Sequence, residues 1–249
     1  LLTVIGGDYQ TSTVSFARLD GENGGSSGFL TSGSAVGATG AALSGDVVVA
    51  TASPCRPVVI DRTSGVLTHI VAGDGSAPGV GWQLNVSGGF YSNVQDALWL
   101  DEKVIAVVRA QRSVTGGGDD VSAWDPTSSK ALWRLDLGPH STLAADVTAH
   151  AFGGQSAAVG ATQNVAATMW VPLASVNAAF SDMGPASICV VSGISDSHDV
   201  RPKYVRCVQP PGLRNCTTAR WIPARQQVAV VCSGFFKAPD QVAESGLVL

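Results

Sequence analysis

The 249-residue chain has 14% charged residues, against roughly 25% in ordinary soluble domains, and 29 glycines, so turn-forming residues replace charge over much of its length. Its formal net charge is −4 and it has no basic run, which leaves a nucleic-acid backbone nothing to track. At 45% hydrophobic residues it folds, and its most membrane-like stretch, Ala157 to Phe180, is broken by Thr162, Gln163, Asn164, Pro172 and Asn177, too polar for a transmembrane segment.

In chain order, Leu1 to Ile5 and Val14 to Asp20 read as strands. Four later segments each pair a short Ala-containing strand with a second, more apolar one, which is a hairpin pattern. These are Ala41 to Val49, Asp96 to Val107, Thr148 to Val159 and Thr218 to Val231. Aligned on Ala42, Ala97, Ala149 and Ala219, they recur at the period of a blade repeat with long insertions. A third strand carrying an Asp turn follows two of them: Val58 to Asp61 with Arg62-Thr63-Ser64-Gly65, and Val121 to Asp125 with Pro126-Thr127-Ser128-Ser129. Asp and Ser in such turns bond the backbone two residues on. No window keeps a 3.6-residue apolar period free of Gly and Pro, so long helices are not expected.

Four antiparallel strands per unit is the composition of a propeller blade. The expected fold is all-β: a single β-propeller domain over 1–249 with about five blades begun. Val47 to Ala50, Val104 to Val108, Ala157 to Val159 and Val228 to Val231 are its expected equivalent strands. The competing architecture is a β-sandwich. The chain ends in strand-like sequence at Leu249 and opens without an apolar leader, which reads as a fragment incomplete at its C-terminus.

The segment Gly212-Leu213-Arg214-Asn215-Cys216, with a hairpin ending Val230-Val231-Cys232-Ser233-Gly234, resembles secreted or lipoprotein-type bacterial β-propellers of the myxobacterial kind. Asp61 to Gly65 and Trp124 to Ser128 are similar to the turns of YVTN and quinoprotein-like blades. The resemblance implies a propeller and export to the periplasm, cell surface or extracellular space. Lactonase-like members of that assemblage place His and acidic side chains around the channel, where this chain reads Asn93-Val94-Gln95-Asp96.

The five cysteines form no paired metal-ligand spacing. Cys216 and Cys232 flank the turn Pro223-Ala224-Arg225 symmetrically, so a regular hairpin sets them opposite one another for a disulfide. Cys189 and Cys207 are a second candidate pair, leaving Cys55 as a buried small hydrophobe. Disulfides imply an oxidising compartment. Asn85-Val86-Ser87 and Asn215-Cys216-Thr217 match the N-glycosylation pattern, a chance match in the bacterial setting the resemblance implies.

Candidate chemistry is sparse. His69 reads as a half-exposed strand residue, His198-Asp199 as a solvated loop, and Gly116 to Asp120 as a loop tip lacking the spaced acids of a calcium loop. Gly24-Gly25-Ser26-Ser27-Gly28 has the letters of a nucleophile elbow without its strand and helix. Trp99, Trp124, Trp133, Trp170 and Trp221 fall in strand patterns suited to packing. Neither a cofactor nor a metal is expected. The expected site is the channel mouth, where Asn93, Asp96, Asp146, Arg214 and Asn215 precede or open the innermost strands and would meet a small polar ligand or a protein partner. The functional expectation is therefore an exported non-catalytic binding module, the alternative being a lactonase-like or quinoprotein-like enzyme.

Overall fold

The computed structural model describes residues 2–8, 10–17, 26–32, 43–50, 56–71, 78–89, 93–110, 120–140, 157–159, 167–177, 181–194, 202 and 204–249. Among these, strands form five antiparallel sheets in chain order, and each sheet is a meander in which sequence neighbours are hydrogen-bonded neighbours. The first holds β1 (Leu2–Gly7), β2 (Ser12–Ala17) and β3 (Ser26–Thr31). The second holds β4 (Val47–Val49), β5 (Val58–Asp61), β6 (Val66–Val71) and β7 (Gly79–Asn85). The third holds β8 (Val94–Trp99), β9 (Ile105–Arg109), β10 (Val121–Asp125) and β11 (Lys130–Leu135). The fourth holds β12 (Ala157–Val159), β13 (Ala167–Leu173), β14 (Ser187–Ile194) and β15 (Tyr204–Val208). The fifth holds β16 (Cys216–Ile222), β17 (Gln227–Ser233) and β18 (Ser245–Val248). Helical structure among the described residues is limited to 3-10 turns at Gly138–His140, Pro223–Arg225 and Val242–Glu244. No described helix is long and apolar enough to cross a membrane.

Successive sheets share apolar cores. Val14, Phe16 and Leu30 of the first meet Val59 and Ile70 of the second. Ile60, Leu67 and Leu84 of the second meet Val94, Ile105 and Val107 of the third. Leu98, Ala106, Val108 and Val121 then pack with Met169, Val171 and Val191 of the fourth. Ile188 and Ala186 pack with Ala219 and Val230 of the fifth. Strand alternation explains the division: Ile105 and Val107 of β9 face one core while Ala106 and Val108 face the next. Each fully buried Val, Leu or Ile contributes about 1.5–3 kcal/mol. First strands adjoin one another at three junctions, β1 against β4, β8 against β12 and β12 against β16, whereas between the second and third sheets it is the second strand β5 that meets β8.

The expected set of equivalent strands needs correction. β4 and β12 are the first strands of their sheets, whereas β9 and β17 are second strands. The Asp turns are likewise not equivalent, since Asp61 joins the second and third strands and Asp125 the third and fourth. Ala41 to Val49 is also not a hairpin where it is described. Ser44 and Asp46, which read as turn residues, serve the turn of the partner strand: Asp61 accepts the Ser44 amide and hydroxyl, both at 2.7 Å, and Asp46 pairs with Arg62. Asp61 also takes the amides of Thr63 at 3.1 Å and Ser64 at 3.0 Å and is buried, so this turn is fastened from two strands.

Both cysteine pairs are disulfides, Cys216–Cys232 and Cys189–Cys207. The first forms by a different geometry from the symmetric hairpin. The register from Ile222↔Gln227 to Thr218↔Val231, continued without interruption, would bring Cys216 opposite Ser233. A bulge between Cys216 and Thr218 moves it by one residue onto Cys232. Cys189 and Cys207 are direct cross-strand partners between β14 and β15. Cys55 lies outside the described residues.

Candidate functional site

The start of β8 gathers polar groups from two sheets. Asn93 has a left-handed backbone (φ 46°), a conformation that Asn tolerates, and its carbonyl accepts the Ala110 amide at 3.0 Å. The Gln95 side-chain amide donates to Asn93 Oδ1 at 2.6 Å, and Gln95 Oε1 accepts from Arg62 at 3.5 Å. Arg62 Nε in turn donates to Asp46 Oδ1 at 2.8 Å. The chain Asp46, Arg62, Gln95 and Asn93 thus ties the second sheet to the first strand of the third, and all four residues are half-buried.

Asn215 repeats the device one residue before β16. Its φ is 52°, its carbonyl accepts the Ser233 amide at 3.1 Å, and its side-chain amide donates to Ser233 Oγ at 2.7 Å. Arg214 forms an ion pair with Glu244, Nε to Oε1 at 3.5 Å, and its amide donates to the Glu244 carbonyl at 3.1 Å. These bonds close the two ends of the fifth sheet on each other. Asp146, His150 and His198 lie outside the described residues, as does the Gly-Ser stretch through Gly25.

Asp96 is buried within β8, and its Oδ1 accepts the Ala97 amide at 2.9 Å. Two further buried charges lie in the same sheet. Arg109, at the end of β9, donates to the Val86 carbonyl, and Asp120, just before β10, accepts the amides of Leu137 at 2.6 Å and Gly138 at 3.2 Å. Asp120 is 1% exposed, which corrects the reading of Gly116 to Asp120 as a solvated tip at its last residue; 116–119 lie outside the described residues. Desolvation makes such charges costly unless they are bonded, and backbone amides are among the partners that hold these carboxylates.

A cluster that the sequence reading did not assemble joins the second and third sheets. The His69 ring of β6 lies 5.2 Å from Trp82 of β7 and 5.5 Å from Trp99 of β8. The Arg56 guanidinium sits 5.1 Å from the Trp99 ring, whose Nε1 donates to the Arg56 carbonyl at 3.3 Å. The register of β6 with β7 shifts between His69 and Ile70, which leaves Gly81 as the extra residue. A Cβ there would stand 2.9 Å from His69 Nδ1 and 2.6 Å from Val71 Cγ2, so only glycine lets the strand pass this close. Burial, aided by the charge of Arg56, holds the imidazole pKa below its usual value. The available signals were a His in an apolar strand and the Gly79-Val80-Gly81-Trp82 pattern, whose glycines mark close backbone approach. Trp170 and Trp221 likewise stack at 6.2 Å between neighbouring sheets, in keeping with Trp as packing residues, and Trp124 and Trp133 are buried.

Among the described residues, no group of three or more His, Cys, Asp or Glu side chains is placed to hold a metal ion. No family model and no curated protein matches the sequence. Among solved structures, the chain is similar to a mutant of the NanB sialidase from Streptococcus pneumoniae, at 15% identity and a TM-score of 0.45 over 81% of this chain. It spans 28% of the length of that sialidase chain.

Proposed function

We propose that the chain builds a β-propeller serving as an exported, non-catalytic binding module, with its ligand at the mouth bounded by the starts of the first strands. The carrying observation is that successive meander sheets adjoin at or next to their first strands, β1 with β4, β5 with β8, β8 with β12 and β12 with β16, as blades do around an axis. The two disulfides support export, since such bonds persist in oxidising compartments. In this reading Asn93, Arg214 and Asn215 rim the mouth, Asp96 and Gln95 stand at the start of β8, and Arg62 joins the rim from the turn between β5 and β6. Amides and guanidinium groups bind polar ligands by hydrogen bonds but do not exchange protons near neutral pH, which favours recognition over acid–base turnover.

Calorimetric titration against a panel of small polar metabolites, each also incubated for turnover, tests the proposal. Expected are saturable binding that Arg62→Ala or Gln95→Ala weakens about tenfold, the loss of one good polar contact, and no consumption of the ligand. Turnover of a bound lactone or alcohol would replace this reading with the enzyme alternative. Binding indifferent to both substitutions would move the site elsewhere.

A further inference from the structure

The Asn85 sequon plays no part in the reading above, whereas Asn215 stands on the proposed rim, and the fold treats the two differently. Asn85 is the exposed last residue of β7, and its Oδ1 accepts the Ser87 amide at 2.9 Å and the Ser87 hydroxyl at 2.7 Å. Neither bond uses the side-chain nitrogen. The turn beneath is pinned: the buried Val86 donates its amide to the Gly65 carbonyl at 2.8 Å, and its own carbonyl accepts from Arg109. Gly65 has φ 67°, and a Cβ there would lie 2.8 Å from Ser87 Cβ, so a glycine is needed to seat Ser87. Gly88 and Gly89, both with positive φ, carry the chain away and leave the Asn85 side chain at the surface.

Asn215 presents the contrary arrangement. Its side-chain nitrogen is the donor to Ser233 Oγ, and the next residue, Cys216, is fully buried and bonded to Cys232. A sugar on that nitrogen would leave it a single N–H and crowd the Ser233 contact.

Against the expectation that both sequons are chance matches, we infer that Asn85 is an N-glycosylation acceptor and that Asn215 in the folded protein is not. The inference rests on the export reading above, because the donor, a lipid-pyrophosphate-linked oligosaccharide, is met only on an export route. In the transfer, the Asn85 Nδ2 forms a bond to the anomeric carbon of the first sugar. The bond from that carbon to the pyrophosphate oxygen breaks, the lipid pyrophosphate leaves with the electron pair, and the amide gives up one proton to a base of the transferase. The remaining N–H and the Oδ1 contacts to Ser87 are compatible with the product, so the turn need not rearrange.

The test is peptide mapping of the full chain recovered from its native source, before and after an amidase that releases the glycan and converts its Asn to Asp. The same samples are alkylated without reduction, so that the disulfides are read together with the glycan. Expected are conversion at Asn85, none at Asn215, both disulfides intact, and complete loss of the glycan mass in Asn85→Gln and Ser87→Ala expressed in the same host, each variant folded with both disulfides formed. Bare Asn85 in protein with both disulfides formed overturns the glycosylation inference while leaving export standing. Bare Asn85 with Cys189, Cys207, Cys216 and Cys232 all alkylated overturns export as well. A glycan on Asn215 of folded protein overturns the discrimination between the two sites.

Discussion

The third and fifth sheets stabilise the same meander by different means. In the third, every residue of the second strand β9 is buried, because one set of alternate side chains enters the core shared with the second sheet and the other enters the core shared with the fourth. In the fifth, the second strand β17 alternates: Val230 and Cys232 are buried, whereas Val231 is 47% exposed and pairs across the strands with Leu247, itself 61% exposed. The third sheet contains no cysteine, while the fifth is stapled by Cys216–Cys232. In the third sheet packing from both faces holds the strands, in the fifth a covalent link supplements a smaller core, and the fourth, which shares cores with both neighbours, carries Cys189–Cys207 as well.

The largest expected effect separates the two sheets directly. Val107→Asp puts an unpaired carboxylate between the second and third sheets and should cost about 4 kcal/mol or more, read as failure to fold or as a large drop in the denaturant midpoint. A mild loss would mean that the interface between these sheets is wetter than the burial of β9 implies. Next in size, replacing Cys216 and Cys232 together by Ala should cost about 3 kcal/mol by the chain-entropy account for a bridge spanning 16 residues. An unchanged midpoint would mean that the fifth sheet does not depend on its staple.

A smaller effect concerns pH. The folded imidazole of His69 has a lowered pKa, so the unfolded chain binds the proton more tightly. The stability contributed by the neutral ring is therefore complete above the unfolded value near 6.5 and is lost as pH falls through the folded pKa. The melting temperature should decline on acidification across that window, and His69→Gln should flatten the decline. Titration of the His69 ring by NMR above the ordinary histidine value would contradict the sign. Smallest of all, Val231→Asp should change stability by less than about 0.5 kcal/mol, because its position is open, and should reduce self-association in light scattering. A cost comparable to Val107→Asp would show that the outer face of β17 is covered in solution.

Much of the local structure was legible in the sequence. The hairpins β8–β9 and β16–β17 follow from alternation and turn residues, Cys189–Cys207 was only a candidate pair, and Cys216–Cys232 follows from spacing although Cys216 reaches Cys232 through a bulge that no spacing argument contains. The strand frame was not legible. An Asp turn announces a reversal at Asp61 or Asp125 but carries no information on which pair of strands it joins. Ser44-Gly45-Asp46 looked like a turn because its polar groups have the chemistry of one, and those groups are spent instead on Asp61 and Arg62 across the sheet. The aromatic cluster was hidden for a different reason: Arg56, His69, Trp82 and Trp99 come from four separate segments and meet only after two sheets have packed. At the expected site, the left-handed backbone of Asn93 and Asn215 gives both a positional role before a first strand that their polarity alone did not reveal.

The meander arrangement has a consequence for how the molecule comes apart. Because the described cores join each sheet to its neighbours in the chain, cooperativity passes between adjacent sheets much as it passes between repeats in a linear array. Among the described cores, opening costs least for a sheet that shares one of them, as the fifth does, and most for a sheet such as the third, where two must be surrendered at once. Amide protons of β9 should accordingly be among the slowest to exchange with solvent, and those of β18 among the fastest of any strand, a gradient of protection that runs along the sequence itself.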